Sequence, residues 1–462
     1  MSSRPCKSAR EVAFEVLNRF DEDKHDSRQI LHERIEQSQN KAHATDIVFG
    51  SIRNRPLMDV LIERFSGLPI GRIQKKVLNV LRIGVYELVL VGQTSAYAAV
   101  NEAVNLANAV AGKRQGSFVN AILRKISGAI EEPVVSLRGA PATRTIPIDA
   151  ESGCLFRTDI LIDPEKDAAG YLSGAFSLPL WLVAEWVEAF GFAKSLEICA
   201  ASNRRPGVYL QPNTLKISAA ELADRLREGG VECDIAAEGA MIRLKSHESI
   251  TALAGYAEGL FSVQDATAAD AMTMLAPRPG WTVLDLCAAP GGKTVRIAQL
   301  MNDSGCICAT DVDGDRLRMV DDNCKRLGIS IVRTFAWEGL SVITEQVRKW
   351  DAIVLDVPCS NTGVLARRPE ARLRIKPQTV RSLAKTQREL LEKAAATAGA
   401  GCLLCYSTCS ILAAENGDLV RSFLAAKSGW ELARERLTLP FVAGDRSFDC
   451  DGGYVAILSR QY

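Results

Sequence analysis

The chain has 462 residues, of which 47% are hydrophobic and 24% are charged, and its formal net charge is +1. This length predicts about three domains, and the small net charge argues against a uniformly basic nucleic-acid-binding protein. We expect no membrane span, because no apolar run approaches the required length of about 18 residues. We expect no signal peptide, because the basic N-terminus is not followed by the apolar stretch that such a peptide contains. The thirteen cysteines are odd in number and scattered, which predicts the free thiols of a cytoplasmic protein rather than a disulfide framework.

The N-terminal region, residues 1–130, is predicted to be an all-helical domain. Ser8 and Glu11 have the spacing of a capping box, and apolar residues recur at helical spacing from Lys75 to Leu90. Basic residues are frequent here and are consistent either with a solvated helix face or with a surface that binds RNA. They are Arg72, Lys75, Lys76, Arg82, Lys113, Arg114, Arg124 and Lys125.

The remainder divides into a linker and two further regions. Residues 131–165 lose helical periodicity and are rich in proline, which predicts a linker with a short strand or two. Residues 166–265 mix strand and helix patterns, which predicts a small α/β segment, a common arrangement for binding RNA. Residues 266–462 alternate strands with helices, which predicts a doubly wound, mostly parallel sheet. Its predicted strands are 283–286, 306–310, 352–356, 402–407 and 455–458.

The most informative stretch reads V-L-D-L-C-A-A-P-G-G-K-T and spans residues 283–294. A buried strand, a glycine turn and a helix form the layout that binds nucleotide-like ligands at the carboxyl end of a parallel sheet. The last residues resemble the end of an ATP-binding P-loop, but Cys287 stands where that loop requires a glycine, so we exclude it. By itself, the stretch is equally consistent with an ordinary strand–turn–helix.

An acidic residue follows the next strand of the predicted sheet. Asp311 lies about 20 residues after the glycine turn, where a carboxylate can accept hydrogen bonds from the ribose hydroxyls of a nucleoside ligand. The alternative is capping of the helix that starts near Asp313, and one residue can serve both purposes.

Two cysteines follow neighbouring strands near their carboxyl ends, where sites on such sheets lie. Cys359 follows Asp356, and Cys409 follows a strand that contains Cys402 and Cys405. Free cysteines are usually small buried hydrophobic residues, which suits Cys402 and Cys405 better than the other two. Because those two lack a second pair of ligands, we expect no metal site.

A thiol must be ionised before it can act as a nucleophile. Eight arginines and lysines lie between residues 367 and 388, and they would favour a thiolate and attract a phosphate backbone. For the later members of this tract, a solvated helix face is the alternative.

Three motifs in this order resemble those of the RNA cytosine-C5 methyltransferases. They are C-A-A-P-G-G-K-T at 287–294, D-V-P-C-S-N-T-G-V at 356–364 and Y-S-T-C-S-I at 406–411. The helical region, with T-D-I-V-F-G at 45–50 and F-V-N-A-I-L-R at 118–124, is similar to the NusB-like domain. This combination resembles the Sun/RsmB family, which implies a NusB-like bundle, a small α+β segment and a Rossmann-like methyltransferase domain.

The resemblance implies a role for each matched residue. The methyl donor would be S-adenosyl-L-methionine, and Asp311 would bind its ribose. Asp356 would contact the base or the donor and polarise the ring. Cys409 would attack C6 of the cytosine, and Cys359 would assist release of the product. The other predicted donor-binding residues are Cys287, Ala288, Ala289, Pro290, Gly291, Gly292 and Lys293.

The sequence departs from the family pattern at a few positions. Arg368, Pro369 and Glu370 replace the usual H-P-D, and Trp337 or Glu338 stands where a further acidic cofactor contact is usual. These changes bear on affinity and substrate fit more than on the reaction.

The leading hypothesis is a monomeric cytoplasmic enzyme that acts on small-subunit ribosomal RNA, without a metal and without a membrane. One alternative is a non-catalytic RNA-binding or ribosome-assembly factor, although neither cysteine nor the glycine turn has been lost. Another is a DNA cytosine methyltransferase, which would attack through Cys359 and leave Cys409 without a role.

Overall fold

The computed structural model describes residues 6–22, 27–92, 94–236, 240–245, 249–442 and 449–461. The chain forms two compact units, one of Met1–Arg204 with Leu365–Ile375 and one of Arg205–Val364 with Lys376–Tyr462. These divisions do not coincide with the domain boundaries predicted from the sequence, which remain predictions.

The first unit begins with the predicted helical bundle. The capping box forms as expected, since the Glu11 N–H donates to Ser8 Oγ over 3.2 Å and the Ser8 N–H donates to Glu11 Oε2 over 2.7 Å. The helices are α1 (Ala9–Arg19), α2 (Ser27–Ile35), α3 (Lys41–Arg53), α4 (Arg55–Ser66), α5 (Lys75–Val89), α6 (Ala96–Ala111) and α7 (Lys113–Ala129). Helix α5 is the centre of the bundle: it is buried from Val77 to Val89 and packs against α1, α3, α4, α6 and α7.

The predicted linker contains a small antiparallel sheet. Its strands are β1 (Ile130–Ser136), β2 (Thr145–Pro147) and β3 (Ser152–Phe156), in the order β1-β3-β2. Two further helices of the first unit follow, α8 (Ala168–Phe176) and α9 (Leu180–Asn203).

The remaining elements belong to the second unit, except α15. They are β4 (Val208–Pro212), α10 (Ala219–Glu228), β5 (Cys233–Ala236), β6 (Met241–Leu244), β7 (Phe261–Val263), α11 (Ala266–Leu275), β8 (Thr282–Asp285), α12 (Gly292–Leu300), β9 (Cys306–Asp311), α13 (Gly314–Leu327), β10 (Val332–Ala336), α14 (Leu340–Gln346), β11 (Ala352–Asp356), α15 (Ala371–Arg374), α16 (Pro377–Thr397), β12 (Leu403–Thr408), α17 (Gly417–Ala426), β13 (Trp430–Thr438), β14 (Phe441–Val442), β15 (Asp449–Cys450) and β16 (Gly453–Arg460).

The second unit opens with a four-stranded antiparallel sheet, in the order β5-β6-β4-β7, that packs against α10. Asn213, which follows β4, is fully buried. Its side-chain amide donates to the backbone oxygen of Gly259 over 2.8 Å and to that of Leu327 over 2.9 Å. This side chain therefore joins the small sheet to α13.

The large sheet has seven strands in the order β10-β9-β8-β11-β12-β16-β13. The five strands from β10 to β12 in this order are parallel, and β16 and β13 pair antiparallel. This confirms the predicted doubly wound, mostly parallel fold. The strand order reverses between the neighbours β8 and β11, and ligands of such sheets bind at the carboxyl ends beside that reversal.

Two edge strands of this sheet were not predicted. Strand β10 is only partly buried, and β13 reads W-E-L-A-R-E-R-L-T with most of its residues exposed. Edge strands bury little apolar surface, so the buried-strand pattern that identified the central strands is missing there. Across the described ranges, no helix is long and apolar enough to cross a membrane.

Candidate active site

The glycine loop, residues 287–293, connects β8 to α12 at the point where the strand order reverses. Backbone contacts define its course: the Ala288 N–H donates to Thr310 O over 3.0 Å, and the Gly291 N–H donates to Ala288 O over 2.7 Å. Gly291 has φ 104°, and a Cβ there would lie 3.2 Å from Val320 Cα, so the position requires glycine. Gly291 is also the N-cap of α12 and offers no side-chain cap, which leaves the first N–H groups of that helix for another acceptor.

Asp311 lies at the end of β9 beside the glycine loop, as predicted. One carboxylate oxygen accepts the Ala289 N–H over 3.1 Å, and the other accepts the Asp313 N–H over 3.0 Å. Asp313, rather than Asp311, caps α13 through its own side chain. Each oxygen of Asp311 keeps a further lone pair that can accept a hydroxyl of a ligand.

A buried carboxyl group that sequence analysis left without a role lies at the end of β8. Asp285 Oδ2 accepts the hydroxyl of Thr294 over 2.7 Å, whereas Oδ1 has no hydrogen-bond partner among the described residues. Burial raises the pKa of Asp285 to about 7. The available signal was a carboxyl group within the apolar run V-L-D-L.

An ion pair joins the glycine loop to the end of β11. Lys293 Nζ lies 2.7 Å from Asp356 Oδ2, and the Ser407 hydroxyl donates to Asp356 Oδ1 over 3.2 Å. Burial opposes the charge of Lys293, but the Asp356 carboxylate outweighs it and raises the pKa of the lysine. The ion pair therefore links the glycine loop to the ends of β11 and β12, the strands that precede Cys359 and Cys409.

The structure brings the two predicted cysteines together. The sulfur atoms of Cys359 and Cys409 are 3.0 Å apart, and both residues are free thiols. Asn361 contacts both, because its side-chain oxygen accepts the Cys409 thiol over 3.2 Å and its amide donates to Cys359 O over 3.0 Å. The hydrogen bond with Cys409, burial, and the charges of Cys409 and Glu415 raise the pKa of Cys359 well above its ordinary value. Cys359 therefore keeps its proton at neutral pH.

Cys409 is the more exposed of the two cysteines. A cavity that is open to solvent, with about 470 Å³ of empty volume when the open space at its mouth is included, is lined by Cys409 but not by Cys359, whose exposed fraction is 9%. The cavity is also lined by Lys293, Ser407, Arg436, Asp451 and Tyr454. A substrate in this cavity would therefore meet Cys409 first, with Cys359 behind it.

Burial raises the pKa of other cysteines of the second unit. The pKa of Cys402 and that of Cys405 are raised to about 12. Cys405 lies inside β12 as predicted, whereas Cys402 directly precedes the strand. Burial and three nearby carboxylates raise the pKa of Cys287 as well. Within the described ranges, no group of three or more His, Cys, Asp or Glu side chains could hold a metal ion.

Two residues of the predicted basic surfaces are structural, so those predictions were wrong for them. Arg82 is buried and forms an ion pair with Asp59 over 2.7 Å. Arg372, also buried, donates to the backbone oxygens of Arg53 over 3.0 Å and Ser202 over 2.8 Å within the first unit. Burial lowers the pKa of Arg372 to about 9. The other predicted members of the N-terminal surface are exposed, as are Arg374, Lys376, Arg381 and Lys385 of the later tract.

Comparison with known proteins agrees with this geometry. The model of the 16S rRNA methyltransferase RsmB/F family matches residues 272–444, that of the NusB family matches 7–128, and that of the RsmF/B-like ferredoxin-like domain matches 178–251. The probable ribosomal RNA small subunit methyltransferase B of Synechocystis is 33% identical, and the alignment covers 92% of this chain and 90% of that protein. The chain belongs to the RsmB family of ribosomal RNA small subunit methyltransferases.

Further members and a solved structure extend the match to the whole chain. The Bacillus subtilis protein of the same description is 28% identical over 92% of this chain and 90% of its own length. The crystal structure of the protein PH0851 has a TM-score of 0.74, 25% identity and full coverage of both chains. An RsmB-family protein is a ribosomal RNA methyltransferase, so the prediction of an enzyme that methylates ribosomal RNA is confirmed.

Proposed function

We propose that this RsmB-family enzyme methylates C5 of a cytosine in small-subunit ribosomal RNA, with Cys409 as the nucleophile and Cys359 as the release residue. The observation that carries the proposal is the pair of sulfur atoms 3.0 Å apart, of which only Cys409 lines the cavity. An accessible sulfur can form a covalent bond to a base, while a buried protonated thiol beside it can return a proton.

The residues around the glycine loop fit S-adenosyl-L-methionine. Asp311 would accept the ribose hydroxyls, and the N–H groups at the start of α12 would face the carboxylate of the amino acid portion. When bound, this cofactor supplies an electrophilic methyl group. The predicted contacts of residues 287–292 belong to this proposal, whereas Lys293 points to the cavity that contains Cys409.

Attack by the Cys409 thiolate on C6 makes C5 electron-rich and places negative charge on the pyrimidine ring. The Lys293 ammonium lines the same cavity and stabilises that charge, because it is already held in place by Asp356. Asp356 therefore orients the lysine and contributes to polarising the ring. A target base within a helix would have to leave its stack to reach the cavity.

Release then requires two bonds to break. Water takes the proton from C5, and the electrons of that C–H bond form the C5–C6 double bond. The electron pair of the C6–S bond stays on Cys409, whose sulfur receives the proton of the Cys359 thiol. Cys359 regains a proton from solvent, so the enzyme returns to its starting state.

The exposed basic residues of the first unit provide a surface for the RNA. Arg72, Lys75, Lys76, Lys113 and Arg114 are exposed, and such side chains bind phosphates without sequence preference. We therefore assign substrate capture to this surface and base selection to the cavity, and we propose that the enzyme acts as a monomer.

The test is methyl transfer to small-subunit ribosomal RNA and to DNA of matched sequence, followed by nucleoside analysis. We expect 5-methylcytidine in the RNA only, and none with Cys409→Ala. Methylation of DNA that survives Cys409→Ala would favour the DNA methyltransferase alternative. RNA binding without any methylated nucleoside would favour an assembly factor.

A further inference from the structure

A buried carboxylate lies behind the two cysteines. Glu415 is in the 3₁₀ turn Ala413–Glu415, and its side chain has an exposed fraction of 0%. One oxygen accepts the backbone N–H of Ser360 and the side-chain amide of Gln387, each over 2.9 Å. The other oxygen contacts the hydroxyl of Ser360 and accepts the hydroxyl of Ser410 over 2.5 Å. Within the described part of the chain no Lys or Arg side chain pairs with it, so these donors alone compensate for its burial.

These contacts involve the neighbours of both catalytic cysteines. Ser360 directly follows Cys359, and Ser410 directly follows Cys409. Their hydroxyl oxygens are 3.2 Å apart, so the carboxylate of Glu415 closes a compact network between the ends of two strands. A network that holds substrate-contacting residues from behind determines their spacing.

The Cys409 loop, which follows β12, is also held by hydrogen bonds from a second residue. Asn416 donates to the backbone oxygen of Ser410 over 2.9 Å and accepts the hydroxyl of Thr408 over 2.6 Å. Loss of Glu415 would therefore leave the Cys409 loop partly held.

The position of the Cys359 loop, which follows β11, depends more strongly on Glu415. Gln387 donates to the backbone oxygen of Pro358 over 2.9 Å, and the same amide nitrogen donates to Glu415. Gln387 and Glu415 thus hold the residues before and after Cys359. Without the carboxylate, the Ser360 N–H and the Gln387 amide would each be left without this acceptor, and the Cys359 loop would shift.

We propose that Glu415 is a positioning residue of the active site, which holds the Cys359 thiol beside the Cys409 sulfur and so determines the rate of product release. This inference rests on the proposed function, because release is the step assigned to Cys359. The charge of Glu415 also contributes to the raised pKa of Cys359, in agreement with a thiol that keeps its proton until release.

Three substitutions of Glu415 distinguish the effect of its side-chain length from the effect of its charge. Glu415→Ala removes the acceptor, Glu415→Asp keeps the charge but shortens the side chain by one methylene, and Glu415→Gln keeps the length and an acceptor oxygen. Asn213→Ala is the matched control, because Asn213 is an equally buried polar residue of the same unit that contacts neither cysteine loop. Circular dichroism checks the fold, and if Glu415→Ala does not fold, the Asp and Gln variants decide.

The measurement is the covalent enzyme–RNA adduct on a denaturing gel, together with steady-state turnover. We expect Glu415→Ala and Glu415→Asp to accumulate adduct and to reduce turnover by about tenfold to a hundredfold, the size expected for a misplacement near 1 Å. We expect Glu415→Gln to stay within about threefold of wild type, since an acceptor of the same length remains. Asn213→Ala should show the wild-type adduct fraction. The double variant Cys359→Ala/Glu415→Ala should show nearly the same adduct fraction as Cys359→Ala alone.

The outcomes distinguish this inference from the proposed function. If Cys359→Ala gives no adduct and wild type transfers no methyl group, the proposed function fails and this inference fails with it. If Cys359→Ala traps RNA as expected but Glu415→Ala and Glu415→Asp show the wild-type or a smaller adduct fraction, only the positioning role is overturned. A purely structural role would lower adduct and turnover together, and Glu415→Gln would not rescue release.

Discussion

The glycine loop and the two cysteine loops all follow central strands of the same sheet, yet they are held in place differently. The glycine loop is held largely through its own backbone, which donates to Thr310 O and to the Asp311 carboxylate. The cysteine loops are held by buried side chains that converge on Glu415. A loop held through its backbone depends on conformation, whereas loops held through side chains depend on particular polar groups. Substitutions should therefore impair donor binding in the first region and chemistry in the second.

Substitution of Lys293 is expected to have the largest effect on rate, and it shows whether this residue serves the glycine loop or the cysteine loops. It belongs to the glycine loop in sequence but pairs with Asp356 and lines the cavity of Cys409. We expect Lys293→Met to lower the single-turnover methylation rate by about a hundredfold to a thousandfold, as removal of an electrostatic stabiliser does. Donor affinity, measured by calorimetry, should change little. A large drop in donor affinity with a normal rate in saturating donor would instead assign Lys293 to the donor site.

The buried Asp285, in the strand that precedes the glycine loop, should make the stability of the protein depend on pH. Its folded pKa of about 7 lies above the ordinary value of 3.8, so the folded state binds a proton that the unfolded state has released. The stabilisation is fully present below pH 4 and disappears as the pH rises through 7, with a total of roughly 4 kcal/mol. An asparagine at this position has no carboxyl proton to lose. The free energy of unfolding of Asp285→Asn, minus that of wild type, should therefore increase from pH 4 to pH 7. Parallel pH profiles from urea unfolding would contradict this expectation.

Gly291 tests the dependence of the glycine loop on conformation. Gly291→Ala places a Cβ at φ 104° and 3.2 Å from Val320 Cα, which costs roughly 1–2 kcal/mol and should weaken donor binding by about tenfold. Gly314→Ala is the matched control, because a Cβ at Gly314 would meet no atom within 4 Å. Calorimetric Kd values for the donor should separate the two variants, and equal Kd values would show that the loop tolerates a side chain.

The smallest effect is expected from substitutions on the basic surface of the first unit. Lys75→Glu or Arg114→Glu should weaken RNA binding several-fold and reduce the slope of log K against log salt by about 1 for each phosphate that is no longer neutralised. Lys166→Glu, at another exposed lysine of the first unit, is the control. Filter binding at several salt concentrations measures the slopes, and equal slopes for all three variants would remove this surface from the RNA-binding site.

The fold and the two motif regions were predictable because each has a local signature. Apolar runs identified the central strands, and the residues after them identified Cys359, Cys409 and Asp311. The edge strands β10 and β13 lack such runs. The role of Glu415 was not predictable, because its importance comes from burial between two loops that are 50 residues apart in the chain. Arg82 and Arg372 were misassigned for the same reason: sequence shows a charge but not whether that charge is buried.

The most direct test of the account is a denaturing gel of enzyme incubated with ribosomal RNA and donor. It compares wild type, Cys359→Ala and the double variant Cys359→Ala/Cys409→Ala. We predict that Cys359→Ala accumulates a covalent RNA adduct that disappears in the double variant, because Cys409 forms the bond and Cys359 is needed to break it. An adduct that persists without Cys409, or no adduct in any variant together with no methyl transfer by wild type, would contradict the assignment of the two cysteines.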